Sequence, residues 1–274
     1  MKAWLVYDRP EAERNRFLID RYFASCARRG VSLRLVLLEE LGFPNAPLPA
    51  ELPDFCVMRR PVPALSAALE RAGVAIFNPS EVARICNDKH ATTEYVRALG
   101  VPVPEEYYYG AAENAPLVPL PAVCKPVDGH GGQGVFLCKT EGELSAALTE
   151  LSGRTVVLQR PVSVLGRDLR VYVLGREPVC GMMRISDGDF RSNFCLGGHA
   201  ERHALTAEEE RIVRRVAEGF SFGLVGVDLI YEGAHPVLNE IEDVVGARML
   251  YTYTEIDIAD RYVDYILKTM EEKS

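Results

Sequence analysis

Three acids, Asp228, Glu240 and Glu242, fall within the stretch VGVDLIYEGAHPVLNEIED at residues 225–243. Val225, Val227, Leu229 and Tyr231 alternate with Gly226, Asp228 and Ile230, the period of a half-buried strand. Gly233 and Pro236 mark a turn, and in the second run Leu238, Glu240 and Glu242 are expected to share a face. Folded about residues 232–236, the hairpin sets Asp228 opposite Glu240, a destabilising like-charge pair. Three converging carboxylates call for a cation, and an all-oxygen set suits a hard one such as Mg²⁺. The competing reading is three solvated acids on the polar face of an edge hairpin, which fits any such triplet taken alone.

A second group of residues suits a polyphosphate. Lys125 precedes the loop DGHGGQG (128–134), which carries Gly131, Gly132 and Gly134. This loop joins two strands, so it is no Walker loop, which opens a helix. Its glycines either make a flexible hairpin turn or let backbone N–H groups approach phosphate oxygens closely. The lysine beside it supplies a point charge. Asp168, Arg170 and Tyr172 share one strand face, Arg184 ends the next strand, and Arg191, Ser192 and Asn193 follow. These form either a solvated face with a surface Asp168–Arg170 pair, worth little, or the cations that a Mg-nucleotide needs.

The elements that must position these groups read as follows. Short apolar strands at 3–7, 32–38, 53–59 and 75–78 alternate with helices at 11–29 and 63–72. That pattern implies a small parallel sheet covered on its faces. On the first helix Phe17, Leu18, Tyr22, Phe23 and Cys26 lie on one side. No glycine-rich phosphate loop follows the first strand, which argues against dinucleotide binding here. Residues 79–99 are helical with an interruption at Asn87-Asp88-Lys89, where Asn87 is the expected N-cap. Strands are expected at 122–127, 135–139, 155–160, 168–174 and 177–184. Capping boxes at Thr140/Glu143 and Thr206/Glu209 open two more helices, and 256–270 is a terminal helix.

Composition narrows the class. The 274 residues are 48% hydrophobic and 26% charged, with a net charge of −8, which argues against broad nucleic-acid binding. No run approaches the length of a membrane span, and the N-terminus lacks the pattern of a signal peptide. The seven cysteines form no C-x-x-C pair and suit buried free thiols in a reducing cytoplasm.

In order, the chain carries Asn87-Asp88-Lys89, KPVDGHGGQGV (125–135), LQRPV (158–162), GRDLRVYVLG (166–175), Arg184, RSN (191–193) and GVDL followed by LNEIED. This series resembles the ATP-grasp superfamily, and within it the ribosomal protein S6 glutamate ligase (RimK-like) branch. The likeness covers residues 80–250. It implies an α/β (α+β) ATP-grasp fold in three parts: an N-terminal Rossmann-like domain over 1–78, a glycine-loop lid with its linking helix over 79–160, and a C-terminal metal-binding subdomain over 161–274. It further implies that ATP is gripped by Lys89, Lys125, Gly131, Gly132, Gly134, the hinge Gln159-Arg160-Pro161-Val162, Asp168, Arg191, Ser192 and Asn193. Asp228, Glu240 and Glu242 would hold Mg²⁺ or Mn²⁺, with Arg170 and Arg184 as catalytic groups beside the transferring phosphate.

Three features depart from the family pattern. The hinge is one residue short before Gly166, and Glu242 stands where relatives have Asn. The segment 243–250, with Arg248, lacks the usual Pro-Gly turn near the acceptor. The implied activity is a carboxylate–amine ligase working through an acyl phosphate. Its partners would be a small-molecule or peptide carboxylate and an amine, possessing neither nucleic acid nor membrane. The rivals are a non-catalytic ATP-binding regulatory module, for which eroded metal ligands are expected, and an ATP-grasp phosphotransferase, separable by its product.

Overall fold

The computed structural model describes residues 1–186, 188, 190 and 199–272. Four short strands, β1 (Lys2–Tyr7), β2 (Ser32–Leu37), β3 (Phe55–Met58) and β4 (Ala75–Phe77), form a parallel sheet ordered β2-β1-β3-β4. Helices α1 (Arg9–Arg14), α2 (Arg16–Arg28), α3 (Leu38–Leu41) and α4 (Pro63–Arg71) accompany it. The single helix expected over 11–29 is two. They meet at Asn15, whose amide donates to the Glu11 carbonyl at 2.8 Å and so competes with the helical ladder. Phe17 and Phe23 leave the buried face, which is made by Leu18, Ile19, Tyr22 and Cys26.

Helices α5 (Ser80–Cys86) and α6 (Lys89–Ala98) link this sheet to the next. The N-cap of α6 is Asp88, not Asn87: the Asp88 Oδ1 accepts from the Ala91 N–H at 2.9 Å. Asn87 instead closes α5 and donates to the Ala83 carbonyl and to Asp243 Oδ2. Lys89 therefore opens α6.

A second, antiparallel sheet contains β5 (Glu106–Ala111), β6 (Ala122–Pro126), β7 (Phe136–Cys138) and β8 (Thr155–Gln159), ordered β5-β8-β6-β7. Helix α7 (Glu141–Glu150) begins in a complete Thr140/Glu143 capping box and packs on one face. Strand alternation decides the other face. Cys124 and Leu158 turn toward α7, while Val123, Lys125 and Gln159 turn toward a cleft.

The third sheet holds β9 (Val164–Leu174), β10 (Glu177–Ile185), β11 (His199–His203), β12 (Leu224–Glu232) and β13 (His235–Glu242). Its order is β11-β10-β9-β12-β13, antiparallel throughout. Helices α8 (Ala207–Glu218), α9 (Arg248–Tyr253) and α10 (Ile258–Glu272) complete the chain. Leu169, Val171 and Val173 of β9, with Val225, Val227 and Leu229 of β12, pack against α5, α6 and α8. The alternate residues face the other way, and that face has two ends. Tyr172, Met182 and Leu224 are apolar and join a core with β1, β3, α2 and α10. Asp168, Arg170, Asp228, Glu240 and Glu242 are charged; Asp168, Glu240 and Glu242 line the cleft, and Arg170 and Asp228 are buried beneath it.

Asp228 does pair with Glu240, but the hairpin is not regular: Leu229 pairs with Leu238, so Asn239 is an extra residue. Leu238 accordingly joins Ile241 in the core and does not share the face of the two glutamates. No helix among the described residues is long and apolar enough to cross a membrane. The six described cysteines are buried and free; Cys195 lies outside the described residues.

Candidate functional site

Register and alternation bring the charged residues into one row. Asp168 on β9 sits across from Arg184 on β10, and Arg170 sits across from Asp228 on β12, itself across from Glu240 on β13. Arg170 grips Asp228 with two bonds, Nε to Oδ1 at 2.8 Å and Nη2 to Oδ2 at 2.6 Å. Arg184 grips Asp168 in the same way at 2.5 and 2.6 Å and also reaches Asp228 at 2.7 Å. Gly226 makes room for this packing, since a Cβ there would lie 2.8 Å from a Val245 methyl and 3.3 Å from Arg170 Nε. The expected Asp168–Arg170 surface pair does not form. Both residues are buried, and each has a partner on another strand.

The charges within the row are unequal. Burial alone would raise the Asp228 carboxyl, which is 0% exposed, but Arg170 and Arg184 hold it down at about 2. Burial pushes the Glu242 carboxyl up, and Asp228 and Glu240 add to this against the pull of Arg170. The Glu242 Oε2 atom lies 2.5 Å from Arg170 Nη1, yet the contact lacks hydrogen-bond geometry and that buried oxygen has no hydrogen-bond partner. A buried carboxylate oxygen that touches Arg170 without a hydrogen bond, beside Glu240, fits a hard cation, which takes oxygen ligands. Glu240 and Glu242 face the cleft, whereas Asp228 lies beneath them with both oxygens bonded.

A cavity open to solvent lies between the second and third sheets. Its walls include Lys89, Lys125, Gly132, Gln159, Pro161, Val162, Asp168 and Glu240 among the residues singled out from the sequence. Lys125 is 6% exposed, and no bond to its ammonium exists among the described residues. Burial, together with Lys89 nearby, lowers its pKa to about 8. The Lys89 ammonium donates to the Gly129 carbonyl and sits 3.5 Å from Glu240. Two lysines close enough to repel each other mark a place for an anion.

The remaining expected residues lie elsewhere. Gly131 lines a second cavity, and Gly134 packs against Leu151 and Pro126 behind the loop. The Arg160 side chain faces away, 3.7 Å from both Glu105 and Glu232, and its backbone N–H is taken by the Glu105 carbonyl. Arg191, Ser192 and Asn193 lie outside the described residues. Sequence reasoning missed the apolar walls Val123, Val135, Leu165 and Ile230, as well as Arg167 and Asn239. It also missed the second cavity, which has Arg59, Arg60, Asn87 and His130 in its wall and shares Lys89 and Glu240 with the first. A usable signal was present: Arg59 and Arg60 close an otherwise apolar strand at the carboxyl end of a parallel sheet, where α/β folds bind ligands.

A family model, the RimK-like ATP-grasp domain, matches residues 110–266. The chain belongs to the RimK-like ATP-grasp family. It is 28% identical over 211 residues to a probable alpha-L-glutamate ligase of Maridesulfovibrio salexigens, covering 74% of this chain and 70% of that protein. It is 26% identical over 308 aligned residues to human N-acetylaspartylglutamate synthase A, covering 99% of this chain and 78% of the relative. The fold matches that of a RimK domain ATP-grasp protein from Sphaerobacter thermophilus with a TM-score of 0.75 at 20% identity, over 97% of this chain and 100% of that one. It also matches D-alanine–D-alanine ligase from Bacillus anthracis, solved with ATP, with a TM-score of 0.73 at 15% identity over 100% of both chains. The ATP-grasp fold of the family implies that this RimK-like chain binds ATP.

Proposed function

We propose that the protein is an ATP-dependent carboxylate–amine ligase that forms an amide through an acyl phosphate. One observation carries this reading: two cavities meet at Lys89 and Glu240, one walled by the lid and one by the N-terminal sheet. A nucleotide in the first would present its terminal phosphate to a substrate in the second. The names of the relatives, glutamate ligases and a synthase of an aspartylglutamate, support an amino acid as the amine.

Lys89 and Lys125 bind the phosphates as point charges. Gln159, Pro161 and Val162 form the wall against which the base rests. Glu240 and Glu242, with Asp228 beneath them, would hold Mg²⁺ or Mn²⁺, and the ion when bound neutralises phosphate charge. A substrate carboxylate oxygen attacks the γ-phosphorus, and the bond to ADP breaks. Arg170 and Arg184, already oriented by Asp168 and Asp228, supply positive charge beside the transferring group. The amine nitrogen then attacks the acyl carbon, loses a proton and displaces phosphate. The 128–134 loop covers the site and excludes water, which would otherwise hydrolyse the acyl phosphate.

The test is ADP release with a panel of carboxylates and amino acids, beside Glu240→Gln. ADP release that requires one member of each class, and that Glu240→Gln abolishes while its melting temperature is kept, supports the ligase. ATP binding without stimulation by any pair rejects it.

A further inference from the structure

Arg59 is the one guanidinium of the second cavity that makes no ion pair with a carboxylate among the described residues. It follows β3 directly and is 6% exposed. Its Nε donates to the Tyr7 hydroxyl at 3.3 Å and its Nη2 to the Val245 carbonyl at 2.8 Å. Among the described residues no further hydrogen bond or ion pair satisfies the guanidinium, which lines the cavity wall. The groups around it are the hydroxyls of Tyr7, Tyr22 and Tyr262.

Among the described residues each acid nearby has another group against it. Asp243 feels the Arg59 charge, but its oxygens accept from Asn78 at 2.7 Å and from Asn87 at 3.1 Å. Glu11 pairs with Arg14 at 2.7 Å, and Asp8 with Arg60 at 3.2 Å. Glu240 faces Lys89 at 3.5 Å, and Glu242 faces Arg170 at 2.5 Å. Buried charges are found paired and hydrogen-bonded, and a buried guanidinium with donors left over has room for a bonded anion. Arginine's planar fork matches a carboxylate with two parallel bonds.

We propose that Arg59 anchors a non-reacting carboxylate of one of the two substrates. The cavity runs from Arg59 to Lys89, Glu240 and Glu242, where it meets the nucleotide cavity. A ligand spanning it carries two groups. The free carboxylate rests on Arg59, and the reacting group points toward the phosphates. Two classes of small molecule meet this demand: an amino acid acting as the amine, and a dicarboxylic acid acting as the acyl donor. Simple monoamines and monocarboxylates do not. Calling the ligand a substrate rests on the ligase reading; the anchoring itself is a binding statement that needs no turnover.

The test is calorimetric titration of the full chain, saturated with Mg²⁺ and a non-hydrolysable ATP analogue. The probes are L-glutamate and glutarate, each beside its uncharged counterpart, the dimethyl ester and the diamide. At least one acid is expected to bind, with its uncharged counterpart at least about tenfold weaker. Binding of glutamate alone shows that the amino group is recognised together with the carboxylates, and binding of glutarate shows that two carboxylates suffice. Arg59→Lys should weaken the acid by about tenfold and Arg59→Gln by more, with affinity for the ATP analogue unchanged. Binding of neither acid, equal binding of acid and uncharged form, or an unaltered acid affinity in Arg59→Lys overturns the proposal. Should a variant lose the ATP analogue through misfolding, the comparison of acid with uncharged probe on the unaltered chain decides. Failure here leaves ADP release untouched, so the two readings fall separately.

Discussion

Lys125 illustrates how a single group reports on its missing partner. Burial and then Lys89 lower its pKa from 10.5 to about 8. Between those values the unfolded chain holds the proton and the folded chain does not, so stability rises as pH climbs from about 8. Below that range the folded protein bears the cost of a buried charge that Glu240 and Glu106 offset only in part. An anion beside the ammonium reverses the preference and favours the charged form. Affinity for an ATP analogue should therefore be greatest below pH 8 and weaken by up to about tenfold per pH unit above it. Titrations at about pH 7 and about pH 9 check this, and Lys125→Arg, which stays charged, should flatten the profile. A flat profile in the unaltered protein would remove Lys125 from the phosphate site.

The hairpin of β12 and β13 shows what an element adds to its residues. Its bulge places Asn239 beside Glu240 in the nucleotide cavity while Leu238 and Ile241 stay in the core. Deleting Asn239 leaves Asp228 with Glu240 and Leu229 with Leu238, now in a regular ladder. The fold should survive with a near-normal melting temperature. The cavity loses one polar side chain, and nucleotide affinity should fall by about 0.5–1.5 kcal/mol. Loss of the fold, or an unchanged affinity, would contradict this account. The case also marks the limit of the sequence. Val225, Val227 and Leu229 alternate plainly, and the pairing of Asp228 with Glu240 follows from the turn. A bulge one residue later shifts the phase without any glycine or proline to announce it. Asn87 and Asp88 are both good caps, and the choice falls to Asp88 because its backbone is extended while Asn87 closes α5. EYYYGA and HAERH become strands because β8 and β10 offer them backbone partners, which no local pattern foretells. Arg59 went unremarked because its meaning depends on the absence of a partner, and absence is visible only once every neighbour is placed.

At the scale of the molecule the interior is divided unequally. Leu5, Tyr7, Phe55 and Phe77 of the first sheet share one core with Tyr172, Met182 and Leu224 of the third, closed by Tyr262 and Ile266 of α10. Ion pairs of Arg28 and Arg29 with Asp260 run along the same seam between α2 and α10. The second sheet has a core of its own, made by Cys124, Leu144, Val156 and Leu158. Motion should therefore separate the lid from a body built of the other two sheets. Hydrogen exchange with and without Mg²⁺ and an ATP analogue should show added protection at 128–134 and little change along the α2–α10 seam. Equal protection at both places would mean that the body is not one piece. A lid with its own interior can be transplanted from a relative without repacking the remainder. Exchanging it would change one wall of the first cavity, with Val123, Lys125 and Gln159, and leave Arg59 and Arg60 in the second cavity as they are.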